Sequence, residues 1–220
     1  MARRFDLAET DHLLRTTRSV RKRLDLTRPV PLDLVLDCID VAVQAPTGGN
    51  VQQWRWLVVD DPDKRRALGE LYKRAGDPYF AAHRERLGDG IDPTMDRVLS
   101  SAELLNEVLG DVPVHVILCA LGRPPVDQPQ GDLAAWYGSI LPAAWSFMLA
   151  ARTRGLGSAW TTLHLAYEQE AAELLGIPAS VTQCVLLPVA YHTGDDFGPA
   201  DRKPARAVTY LNEWGSREGL

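Results

Sequence analysis

Four short runs of this chain combine residue types that could hold a ligand. Thr17-Arg18-Ser19-Val20-Arg21-Lys22-Arg23 carries four cationic side chains and two hydroxyls. A phosphate monoester is bound well by guanidinium forks with hydroxyl or backbone donors beside them, and Arg18 and Arg21 flank Ser19. Read blandly, the same run is a solvated basic face. In Pro46-Thr47-Gly48-Gly49-Asn50-Val51-Gln52-Gln53-Trp54, two glycines let backbone approach a planar ligand. Asn50 and Gln52 add paired donors and acceptors suited to a heterocycle edge; the bland alternative is a polar turn between helix and strand. Gly155-Leu156-Gly157-Ser158-Ala159-Trp160-Thr161-Thr162 reads as a glycine helix end running into a strand. Asp201-Arg202-Lys203-Pro204 is a second basic pair, or a solvated turn.

Other chemistry is missing. There is no G-x-G-x-x-G fingerprint, and the Gly48-Gly49 turn lacks the lysine of a P-loop. No G-x-S-x-G elbow presents a serine. His12, His83, His115, His164 and His192 stand isolated, without a second ligand at metal-binding spacing, so no metal is expected. No side chain is expected to act as acid, base or nucleophile. That points to chemistry carried by a cofactor.

The elements that must position these runs follow from pattern. Helices are expected over 8–17, from Pro31 to near Pro46, from Pro62 to about Lys73, over 94–109, from about Asp132 to Arg154 and over 167–175. Strands are expected over Trp54–Val59, Val114–Ala120 and Gln183–Tyr191, with a short extended segment over Leu156–Thr162. Gly76, Pro78, Gly88, Gly90 and Pro93 interrupt 76–93, which reads as a mobile insertion. The helix over 132–154 is apolar around its circumference, so burial in a large core or against another subunit is expected. Helices followed by strand–helix alternation imply an α+β fold.

The chain has 220 residues, 45% hydrophobic and 24% charged, which suits one domain over 1–220. A formal charge of -5 argues against a nucleic-acid binder. Ile140–Ala151, the best apolar stretch, is too short to span a membrane and is followed by Arg152 and Arg154. The start, Met-Ala-Arg-Arg-Phe-Asp, has no apolar run behind its charges, so no secretory signal is expected. Cys38, Cys119 and Cys184 are odd in number and far apart, as buried thiols in a reducing compartment would be. A cytoplasmic location is the expectation.

Taken together and in this order, the four runs resemble the FMN-dependent nitroreductase superfamily. The likeness spans nearly the whole chain, from Arg18-Ser19-Val20-Arg21 through the Ala45–Trp54 loop and Gly155–Ser158 to Arg202-Lys203-Pro204. It implies a mixed, mostly antiparallel sheet flanked by helices in an intertwined homodimer, with FMN at the interface. By the same resemblance Thr17, Arg18, Ser19 and Arg21 belong to the FMN segment, with Arg18 and Ser19 toward the phosphate and ribityl chain. Arg21 matches a cation near flavin N1 and the C2 carbonyl. Pro46, Thr47, Asn50 and Gln52 match the loop bordering the ring, and Trp160, Thr161 and Thr162 the segment facing flavin N5. Arg202, with Lys203, matches a phosphate contact. Thr17 stands where many members carry a second arginine, and Gln53 where a proline commonly precedes the tryptophan.

The resemblance implies a ping-pong oxidoreductase. NAD(P)H gives a hydride to flavin N5, and a nitroaromatic, quinone or similar electron-poor acceptor then takes it. Residues 76–110 would form a lid, with Tyr79 and Phe80 stacking on substrate or serving only as packing groups. Two alternatives stay open: a flavin-sequestering protein with little turnover, and a reductive dehalogenase on the same scaffold.

Overall fold

Asp6 accepts from the backbone N–H groups of Ala8 and Glu9, at 2.9 and 3.1 Å, and so caps α1 (Leu7–Thr16). The computed structural model describes residues 4–219. They divide into two compact units: Thr17–Asp195, and the residues up to Thr16 together with those from Asp196 onward. In the smaller unit His12 Nε2 meets Asp196 Oδ2 at 2.8 Å, and the Tyr210 and Trp214 rings lie 4.9 Å apart.

The larger unit begins with α2 (Leu32–Ala42) and β1 (Trp54–Val59). A helical hairpin follows, α3 (Pro62–Leu87) and α4 (Pro93–Val108), and then β2 (Val114–Leu121). α5 (Gln130–Gly138), α6 (Leu141–Arg152), β3 (Leu156–Ser158), α7 (Glu168–Leu175) and β4 (Val181–Tyr191) complete it. The strands form one antiparallel sheet in the order β1-β2-β4-β3, so the expected α+β class is what the chain adopts. β2 and β4 are buried on both faces, which is why they read as continuous apolar runs. One face of the sheet, with Val116, Leu118, Val185 and Leu187, packs on Val35 and Cys38 of α2 and on Ala144 and Phe147 of α6. By strand alternation the other carries His115, Ile117 and Cys119 toward the layer that contains α3 and α4. Leu118 opposes Val185 while Cys119 opposes Gln183, so Cys184 is an extra residue in a bulge.

Three expectations need correction. The segment 76–93 is mostly helical: α3 continues through Gly76 and Pro78 to Leu87, and Gly88, at φ 61, ends it. Gly76 is no breaker here, because a Cβ at that position would overlap Asn106 Oδ1 of α4; the glycine admits the neighbouring helix. Asp92, accepting from Thr94 and Met95 N–H, then starts α4. The region 76–110 is thus one arm and the return of a capped hairpin. The long helix expected over 132–154 is two helices. Ser139 Oγ donates to Ala135 O at 2.8 Å, and Pro142, which has no N–H to give the preceding turn, opens α6. Finally, α6 is buried, but α5 has no buried residue within this chain. By length and composition the stretch 130–152 could cross a membrane, yet α6 forms the floor of the sheet's core.

Candidate functional site

The basic run is pinned before it can act. Val20 N–H donates to Ser158 O of β3 at 2.8 Å, Leu24 bridges to His192, and Asp25 N–H donates to Tyr191 O. Val20 and Leu24 are buried, Arg18 and Lys22 exposed, and Ser19 and Arg21 lie between. This close approach depends on Gly157, where a Cβ would stand 2.9 Å from the Val20 side chain. Arg21 leans instead toward α4, its Nη1 donating to Ser101 Oγ at 3.3 Å. Burial holds its guanidinium below the usual pKa, with Tyr72 of α3 acting in the opposite sense. Among the described residues no carboxylate pairs with Arg21. A half-buried cation with five N–H donors and one neutral partner is suited to an electron-rich ligand.

Thr161 lies in the same cluster. Its backbone N–H and C=O pair with Leu186 of β4 at 3.1 and 3.0 Å, and its Oγ1 donates to the Tyr72 hydroxyl at 2.7 Å. Trp160 is half-buried against the core and Thr162 is exposed. Tyr72 hydrogen-bonds Thr161 and acts electrostatically on Arg21, two residues singled out in the sequence. Neither Tyr72 nor Ser101 was among those singled out. The available signal was the Tyr72–Tyr79 spacing, two helical turns, which shows only if the helix continues past Lys73.

The loop after α2 is held elsewhere. Gly48 N–H donates to Ser139 Oγ at 3.0 Å, where α5 ends, and Thr47 Oγ1 donates to Val51 O. Gly49 and Asn50 both take positive φ, 59 and 55, turning the tip outward; Pro46 and Gln52 are exposed. Tyr79 is 46% exposed, with its ring 4.7 Å from that of His83, whereas Phe80 is buried. Arg202 and Lys203 are exposed residues of the smaller unit. An open cavity of about 360 Å³, lined in part by Leu26, Asp60, Arg65 and Asp111, contains none of the singled-out residues.

No His, Cys or carboxylate cluster among the described residues could hold a metal. His115 and His164 are fully buried, and burial pushes each down to about 4, so both are neutral at pH 7. The cluster offers a cation and hydroxyls, and neither buried histidine titrates near neutrality.

The site thus sets a half-buried guanidinium and a buried pair of hydroxyls on an α+β scaffold. A family model described as the nitroreductase family matches residues 14–191, and the chain belongs to that family of flavoprotein oxidoreductases. A putative NADH dehydrogenase/NAD(P)H nitroreductase from Archaeoglobus fulgidus is 26% identical over 86% of this chain and 89% of the relative. The iodotyrosine deiodinase of Thermotoga neapolitana is 27% identical over 85% and 87%. In fold, the chain is similar to an oxidized iodotyrosine deiodinase solved with FMN and 3-iodo-L-tyrosine. The TM-score is 0.65 at 21% identity, covering 86% of this chain and 92% of that one.

Proposed function

We propose that this chain is an FMN-dependent oxidoreductase that takes a hydride from NAD(P)H and delivers it to an electron-poor acceptor in two half-reactions. The observation that carries the reading is Arg21: a half-buried guanidinium with no carboxylate partner among the described residues, under the electrostatic influence of Tyr72, which hydrogen-bonds Thr161. Bound FMN would supply the hydride-accepting and hydride-donating atom. Arg21 would lie toward the pyrimidine end of the ring and neutralise charge that gathers there on reduction. Arg18 would hold the phosphate through charge-assisted hydrogen bonds, Arg202 and Lys203 keep the phosphate role that the resemblance gives them, and the Thr47–Gln52 loop would border the ring.

The second copy that completes this site is proposed on apolar surface. α5 leaves Ala134 and Ala135 exposed, and Leu32, Leu36 and Val41 of α2 are 48%, 45% and 45% exposed. A homodimer would cover them, and it would explain why one chain holds its Arg21 cluster and its Thr47–Gln52 loop on different elements. Three free, buried cysteines fit a cytoplasmic location.

The first experiment is a visible spectrum of the purified protein, then anaerobic addition of NADPH or NADH. Flavin bands that bleach within the mixing time support turnover. Bands that persist favour a flavin-holding protein, and a chain that takes up no FMN overturns the reading. Alanine at Arg18 or Arg202 should weaken FMN retention; unchanged retention places the phosphate elsewhere. A reductive dehalogenase is the second reading, favoured by the deiodinase relative and by the exposed Tyr79 ring, which could stack on a phenol. Halide release from a halogenated phenol, set against nitroaromatic and quinone reduction, separates the two.

A further inference from the structure

Tyr72 and Thr161 are 3% and 8% exposed, and a single 2.7 Å hydrogen bond joins their hydroxyls. Each hydroxyl has one hydrogen to donate. Whichever donates to the other, one O–H remains, and neither hydroxyl makes a second hydrogen bond among the described residues. A buried donor left unmatched costs free energy, so such a group in a native site points to a ligand. Burial raises the proton affinity of the Tyr72 phenol, while Thr161 and Arg21 oppose it. At neutral pH the phenol keeps its proton and the pair remains a donor.

We propose that Tyr72 is a positioning residue for the bound flavin: it fixes the Thr161 hydroxyl, so that the pair offers its remaining O–H to an electron-rich heteroatom of the ligand. The proposal rests on the flavin reading above and adds to it a residue outside all four motif runs. Tyr72 also ties the site to α3, the arm of the hairpin that carries Tyr79 two turns later. A donor of this kind stabilises the ligand more when it is electron-rich than when it is oxidised.

The test is the midpoint potential of protein-bound FMN in the natural chain, in Tyr72→Phe, in Thr161→Val and in the double variant. Tyr72→Phe should make reduction about tenfold less favourable, about 30 mV more negative for a two-electron couple. Thr161→Val should shift it the same way, and the double variant should add nothing, because both remove one shared unit. A Tyr72→Phe potential equal to the natural one, or shifts that add, overturns the proposal. A second measurement needs no cofactor: NMR of ring-labelled tyrosine across alkaline pH. Thr161→Val should raise the titration of the one resonance that Tyr72→Phe deletes, and no change there also overturns the proposal. A chain that binds no FMN sinks the oxidoreductase reading and this role together, whereas FMN uptake with an unshifted potential sinks only the role of Tyr72.

Discussion

At the scale of single residues, charge and burial decide behaviour. Arg21 has one neutral hydrogen-bond partner at 3.3 Å, so its guanidinium is available to a ligand. Arg21→Ala should weaken FMN binding by roughly tenfold to a hundredfold, the worth of a charged hydrogen bond, as equilibrium dialysis would show. A fully retained flavin would remove Arg21 from the site. His115 and His164 make a different prediction. Both have folded pKa values of about 4, below the ordinary 6.5, so the unfolded chain binds protons first as the pH drops. Their contribution is fully present above pH 6.5 and is lost as the pH falls toward 4, to the order of 3 kcal/mol per group. Melting temperature should therefore decline across that window, and His164→Leu should flatten the decline; an unchanged acid limb would contradict it. Arg21 and Thr161 were legible because they lie in motif runs. Tyr72 was not, since a helix expected to end at Lys73 leaves it in the last turn, where fraying would strip it of a fixed position.

Elements show where local signals mislead. Gly76 and Pro78 look like helix breakers when only neighbours in sequence are considered, yet α3 passes through both, and Gly76 leaves Asn106 the space a side chain would take. Gly69 does the same one helical stretch earlier: its Cβ would stand 2.8 Å from Gly110 N, a backbone atom that cannot swing aside. Gly69→Ala should thus cost about 1–3 kcal/mol by overpacking, and chemical denaturation would measure it. Gly90→Ala, with nothing within 4 Å, should change stability by no more than about 0.5 kcal/mol. Equal effects at the two positions would mean that the hairpin is not tightly packed at Gly69. The strands were easier to read. Trp54–Val59 is bounded by turn residues, and β2 and β4 are apolar throughout because both of their faces are covered. The break at Ser139 was hidden because it depends on a hydroxyl returning to Ala135, and apolar periodicity does not report that.

At the scale of the whole molecule, the uncovered helix matters most. α5 has apolar residues and none of them is buried within one chain, so a charge there should leave the fold intact and disturb association alone. On the proposed homodimer, Ala134→Glu should yield monomers in sedimentation and lose FMN with the association. A monomer that keeps its flavin would contradict the shared site. The sequence alone could show that the 132–154 stretch is apolar on every side, but not which half is covered by its own sheet.

The strand order has a consequence for the order of folding. β2 pairs with β4, yet α5, α6, β3 and α7 all lie between them along the chain. The hairpin of α3 and α4 is local and can form early, whereas the central ladder must wait for a long loop to close. Thr161 takes its place through Leu186 of β4, so it is fixed only once that ladder exists. If the proposed site holds the cofactor, its capture is then a late event in maturation, and a nascent chain still missing β4 would lack a fixed Thr161.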